Sequence, residues 1–128
     1  AALETAYAPY SGVRVGAALA TEAGPIAASN VENGAYGDTI CAERMAVGRA
    51  NAEGRRSFTA VAVVADGERL DGDRPITPCG SCRQGLHEMA RVTGTETRVL
   101  MATPGSDTVT VAMLDELLPL PFDPLGTP

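Results

Sequence analysis

The stretch 58-FTAVAVVA-65 decides the fold class of this chain. Apolar and β-branched residues follow one another without the polar alternation of a half-exposed strand, and Asp66-Gly67 ends the run, so it reads as a central strand covered on both faces. Such a strand requires helices on both sides of its sheet. Downstream, the polar loop 66-DGERLDGDRP-75 leads to Thr77 as an N-cap and Pro78 at the first helical position. Leu86, Met89 and Ala90 give that helix one apolar face to about Val92, and Cys79 and Cys82 fall in its first turn. Upstream, 33-NGAYGDT-39 is a glycine-rich loop in which Asp38 or Thr39 caps a helix that starts near Cys41 and ends at Gly54. Before it, 13-VRVGAALA-20 and 25-PIAASNVE-32 read as strands joined through 21-TEAG-24, a connection of hairpin length. Residues Ala1 to Ala8 form the end of a helix stopped by Pro9, and 9-PYSG-12 is a turn. Strands 97-TRVLMA-102 and 108-TVTVA-112 and a short helix 113-MLDELL-118 complete an α/β layered domain.

Composition narrows the function classes. The chain has 128 residues, 45% of them hydrophobic, and a net charge of -6, which suits one domain spanning residues 1–128. All ten basic residues are arginines, scattered singly apart from Arg55-Arg56, so no basic stripe offers itself to a phosphate backbone and nucleic acid is not the expected partner. No apolar run approaches the roughly 20 residues of a membrane span and no signal pattern opens the chain, which points to a cytoplasmic protein with no membrane partner. Three cysteines cannot all pair within one chain, which leaves free thiols or metal ligands.

The cysteines carry the chemistry. A Cys-x-x-Cys pair at a helix start puts both sulfurs beside free N–H groups and the positive end of the helix dipole, which favours thiolate. Fixed anionic sulfurs suit a soft metal, although spacing alone leaves a redox pair at Cys79 and Cys82, and a plain buried Cys41, as readings. Catalytic zinc takes three protein ligands and leaves a position for water, and three cysteines fit that case. His87 lies five residues beyond Cys82 on another face of its helix and reads as a surface or lightly packed histidine. Glu43 follows two residues after Cys41, so the fragments are Cys-x-Glu and, later, Pro-Cys-x-x-Cys.

This pair of fragments resembles the signature of the zinc-dependent nucleoside and nucleobase deaminases. The segments 7-YAPYSG-12, 15-VGAAL-19, 30-NVENGAYG-37, 40-ICAER-44, 78-PCGSCRQ-84 and 116-ELLP-119 are similar, in the same order, to the small single-domain cytidine deaminases. The resemblance implies a three-layer α/β/α fold with a mixed five-stranded sheet, a zinc ion on Cys41, Cys79 and Cys82, and a homotetramer acting in pyrimidine salvage. It also implies hydrolysis of cytidine and 2′-deoxycytidine to uridine and 2′-deoxyuridine plus ammonia. In that scheme a zinc-activated water attacks C4 while Glu43 moves protons from the water to N3 and to the departing amine. Arg44 resembles the family arginine that hydrogen-bonds the zinc thiolates and offsets their charge. Asn30 and Glu32, two apart near a strand end, share a face and match the family pair that holds the ribose 3′-hydroxyl. Tyr36 and the Ala42 backbone match positions lining the base pocket, and Phe122 resembles a phenylalanine that projects into a neighbouring subunit's site.

Two departures bear on the substrate. Val13 stands where the family commonly has phenylalanine, removing an aromatic contact to the pyrimidine of the kind worth roughly 1–3 kcal/mol. Gly34 and Asp38 replace the small and apolar residues usual in their loop. An alternative substrate is therefore a modified cytosine nucleoside of the blasticidin type. A catalytically inactive zinc-binding interaction module gives Glu43 no role, and a thiol redox protein gives none to Pro78 or Glu43. Zinc content and ammonia release separate these readings.

Overall fold

Strand β1 (Arg14–Thr21) and strand β2 (Gly24–Ser29) form an antiparallel hairpin. Thr21 and Gly24 pair across it, so the connection is only Glu22 and Ala23, and Gly24 takes the φ of +109° that lets the chain re-enter the sheet. The computed structural model describes residues 1–126. Strand β3 (Phe58–Asp66) lies antiparallel to β1, β4 (Arg98–Ala102) parallel to β3, and β5 (Thr110–Met113) antiparallel to β4. The sheet is therefore mixed and five-stranded, in the order β2-β1-β3-β4-β5. The parallel β3–β4 pair needs a crossover, and helix α2 (Gly80–Thr93) lies in it. Helix α1 (Ala42–Ala52) connects β2 to β3, and the single turn α3 (Leu114–Leu117) follows β5. Among the described residues no helix is long and apolar enough to cross a membrane.

The core lies on one face of the sheet. Ala17, Leu19, Val61, Val63, Val99 and Met101 from the strands meet Ala42, Ala46 and Ala50 of α1 and Leu86 and Ala90 of α2. The α1 alanines recur every four residues, so one stripe of small side chains lets this helix sit close to β1 and β2. A β-bulge keeps the long β3 strand in register: Leu19 pairs with Val61 but Thr21 pairs with Phe58, three residues on β3 against two on β1. Phe58 and Val61 are thereby both buried.

The sheet's two faces are covered unequally. In β3, Phe58, Val61, Val63 and Ala65 are buried, whereas Thr59 and Ala62 are exposed. The second face carries the cross-strand row Ala27, Ala18, Ala62, Leu100 and Val111. Among the described helices it meets a 3-10 turn at Ala2–Thr5, which packs over Gly16, where a Cβ would come within 2.9 Å of Ala2 Cβ. The expectation that β3 is covered on both faces does not hold for the described residues. Its second-face positions include Ala60 and Ala62, whose small apolar area does not require a helix over each.

Candidate active site

The two helix starts meet at the site, and cysteines occupy both N-caps. Cys41 caps α1 with φ -70° and ψ 153°, and Cys79 caps α2 with φ -68° and ψ 166°, neither helix having a side-chain cap hydrogen bond. Asp38, Thr39 and Thr77 therefore do not cap these helices as expected. Thr39 instead uses its hydroxyl to accept from the Asn33 amide at 3.2 Å. Each N-cap residue leaves the helical conformation, and the two sulfurs come together where the helix starts meet. Cys82 reaches the same place from the first turn of α2, fully buried, while Cys79 is exposed.

The sulfurs of Cys41, Cys79 and Cys82 lie within 4.8 Å of one another, with Cys41–Cys79 at 3.8 Å and Cys79–Cys82 at 3.4 Å. A Zn–S bond of about 2.3 Å in tetrahedral geometry separates sulfurs by about 3.8 Å, so the triad fits zinc. The surroundings of the triad favour a thiolate at Cys41. The Cys41 thiol is drawn down to about 5, first by its bond with Cys82 and then by the Arg44 guanidinium, against the opposing effect of burial. Cys82 is pushed up as the proton-holding partner of Cys41 and by its burial. Arg44 donates through Nη2 to the Thr39 carbonyl at 3.0 Å and lies 4.0 Å from Cys41 Sγ, where its charge faces the thiolates.

Glu43 is on the first turn of α1 and only 4% exposed. Burial pushes its carboxyl above the usual range, opposed by a bond from Cys82. The acid thus stands beside the sulfur triad in a water-poor setting.

The segment 7–15 and the loop 30–40 form the adjoining wall. The Tyr7 amide donates to the Asn30 carbonyl at 3.0 Å and the Tyr7 carbonyl accepts from the Glu32 amide at 2.9 Å, while Val31 pairs with Ile40. Asn30 is buried, its Oδ1 accepting from the Val15 amide and its Nδ2 donating to the Val13 carbonyl, both at 2.9 Å. The Glu32 carboxylate accepts from the amides of Tyr10 at 2.8 Å and Ser11 at 3.2 Å and from the Ser11 hydroxyl, and that hydroxyl bond lowers its pKa. Asn30 and Glu32 thus grip the two ends of 10–15, which fixes Val13 between them. Tyr36 is 76% exposed and meets Tyr10 edge-on at 5.8 Å, while a side chain at Gly34 would press within 3.0 Å of the Tyr10 hydroxyl. Asp38 ends the 3-10 turn Tyr36–Asp38, exposed.

One residue at the site, Arg83, carries no reading in the sequence. Arg83 donates to the carbonyls of Pro78 and Leu117, both at 2.7 Å, tying the cysteine loop to α3. His87 is not with the cysteines; it sits 3.6 Å from Asp123 of the tail. Phe122 is 73% exposed rather than folded back on its own chain.

Residues 1–95 match the family described as the cytidine and deoxycytidylate deaminase zinc-binding region. The chain belongs to that family. A cytidine deaminase from Halalkalibacterium halodurans is 44% identical over 122 residues, covering 94% of this chain and 86% of that protein. The crystal structure of cytidine deaminase from Burkholderia pseudomallei is similar with a TM-score of 0.79 and 42% identity, covering 94% of this chain and 91% of that one. More distantly, blasticidin-S deaminase from Bacillus cereus is 32% identical over 112 residues, 84% of this chain and 76% of that protein. The mixed sheet of this deaminase-family chain agrees with the layered α/β fold expected from its sequence, and Cys41, Cys79 and Cys82 form a possible site for the zinc of this family.

Proposed function

We propose that the chain hydrolyses cytidine and 2′-deoxycytidine to uridine and 2′-deoxyuridine with release of ammonia. One observation carries this reading: Glu43, a glutamate only 4% exposed, stands beside a zinc-competent sulfur triad. Burying a carboxylate is costly, and a purely structural zinc site has no need of one. Cys41, Cys79 and Cys82 would hold the zinc, which when bound would make a water acidic enough to act as nucleophile at neutral pH. Glu43 takes one proton from the water and passes it to N3 of the pyrimidine as the oxygen bonds to C4. It then takes the remaining hydroxyl proton and gives it to the C4 amine, the C4–N bond breaks, ammonia leaves, and the oxygen stays on C4 as the carbonyl. The raised carboxyl of Glu43 suits an acid that must both take and give a proton. Arg44 holds the Cys41 sulfur and limits the charge accumulated by three thiolates.

The Ala42 amide, at the first position of α1, and Val13 and Tyr36 line the base site, while Asn30 and Glu32 hold the ribose 3′-hydroxyl with the lone pairs and N–H left over from their grip on 10–15. A contact at the 3′-hydroxyl is indifferent to the 2′ position. The exposed ring of Phe122 completes the site of a neighbouring copy in a homotetramer. Exposed Tyr36, Leu120 and Leu125 add apolar surface of the kind that such assembly covers. The enzyme acts in the cytoplasm in pyrimidine salvage.

A second reading, deamination of a blasticidin-type nucleoside, is favoured by Val13 and by the distant likeness to blasticidin-S deaminase. Ammonia release from a panel of cytidine, deoxycytidine, CMP, cytosine and blasticidin S tests both. Turnover of cytidine and deoxycytidine above all others supports the first, turnover confined to the antibiotic the second, and no release from any of them rejects the enzyme.

A further inference from the structure

The C-terminal tail is held by side chains of α2 in a way the reaction itself does not explain. From Leu118 to Gly126 the chain has no helix or strand, and Pro119, Pro121 and Pro124 remove three backbone donors from it. Its attachments come from Gln84, His87 and Arg91, whose spacing of three and four residues places them along one stripe of α2. Gln84 Nε2 donates to the Phe122 carbonyl at 2.8 Å; His87 Nε2 is 3.6 Å from Asp123 Oδ2; Arg91 Nε is 3.0 Å from Asp123 Oδ1, and its Nη2 donates to the Gly126 carbonyl at 2.5 Å. Arg91 and Asp123 are a largely desolvated pair, with side chains 11% and 12% exposed. Removing one partner of such a pair leaves the other charge stranded, so the clamp is strongly coupled to both.

What the clamp holds in place is a set of apolar side chains that bury little in this chain. Phe122, bracketed by the Gln84 and Asp123 contacts, is 73% exposed, and Leu120 is 99% exposed with its backbone in the left-handed region at φ 50°. A leucine in that conformation is strained. Ion pairing, proline stiffening and backbone strain are thus all directed to orienting rings and side chains that point away from their own subunit. We infer that Arg91, acting through Asp123, is a positioning residue for the nucleoside site of the neighbouring copy, because it fixes the direction in which Phe122 leaves the tail. The inference rests on the proposal that Phe122 enters that neighbouring site.

The test uses the full-length, zinc-loaded enzyme and the substrate panel member it turns over best. Arg91→Met should raise KM about 10-fold, within the worth of one aromatic contact to a base, with kcat within about threefold, and with zinc content and light-scattering mass unchanged. Phe122→Ala should raise KM by a similar factor, and the double variant should be no worse than Phe122→Ala alone, since both act through one ring. The reversed pair, Arg91→Asp with Asp123→Arg, should recover part of the loss. Gln84→Ala, which removes one exposed hydrogen bond, serves if Arg91→Met does not fold, and should give a smaller KM increase that also vanishes in the Phe122→Ala background. If Phe122→Ala leaves KM unchanged, the shared-site reading fails and this inference with it. If Phe122→Ala raises KM while Arg91→Met and Gln84→Ala do not, or if their effects add to that of Phe122→Ala, the clamp is not a positioning device and the inference alone is overturned.

Discussion

Replacing Asn30 by alanine should damage stability and substrate binding together. The Asn30 side chain is 7% exposed at the residue level and satisfies two backbone groups, the Val15 amide and the Val13 carbonyl, each at 2.9 Å. Alanine leaves both groups without their partner, and an unsatisfied buried group costs about 1–3 kcal/mol. Because β1 starts at Arg14 and the loop before it can relax towards water, we take the lower half of the summed range, about 2–4 kcal/mol. Against a total stability of about 5–15 kcal/mol for a domain, the variant stays folded at room temperature but its urea midpoint falls markedly. KM should rise as well, since the same side chain is proposed to hold the 3′-hydroxyl. Urea unfolding with the slope held free, alongside steady-state kinetics, measures both. A change below about 0.5 kcal/mol would refute the burial argument, and an unchanged KM in a folded variant would refute the ribose contact.

Further predictions concern the wall of the site. Val13→Phe should lower KM for cytidine if that is the natural substrate, and impair a bulkier derivative by steric conflict; no change with any substrate would remove position 13 from the pocket. Glu32 has its pKa lowered from 4.5, chiefly by the Ser11 hydroxyl, so its contribution to stability is present above the unfolded pKa and is lost as pH falls through the lower folded value. Ser11→Ala should therefore be less stable than the parent near neutral pH, with the difference shrinking as the pH drops below about 4.5; a difference independent of pH would contradict the linkage.

Much of the site could be read from the sequence because its chemistry is local. Cys41 with Glu43, and Cys79 with Cys82, lie within one helical turn of each other, so spacing alone sets their geometry, and the meeting of the two helix starts follows from 58-FTAVAVVA-65 forming a strand between them. Thr77 lies two residues before the N-cap of α2, and Thr39 and Asp38 two and three before that of α1, because capping preference favours hydroxyl and carboxylate side chains, whereas the N-caps are cysteines whose sulfurs converge across helices. The tail clamp was illegible for another reason. Gln84 and Phe122 are 38 residues apart, and nothing in the local pattern of either marks them as partners. Likewise the open second face of the sheet follows from which elements pack on Ala62, which an apolar run cannot specify.

The proposed reaction depends on Glu43 moving protons at a zinc site formed by Cys41, Cys79 and Cys82. Ammonia release from cytidine by Glu43→Gln, compared with the parent and with zinc counted in both, tests it most directly, because the amide keeps the shape and removes the proton chemistry. One zinc per chain is expected in each protein, with a fall in turnover of about 10²–10⁴-fold in the variant. Near-normal turnover in the zinc-loaded variant, or a parent that releases ammonia without zinc, would contradict it.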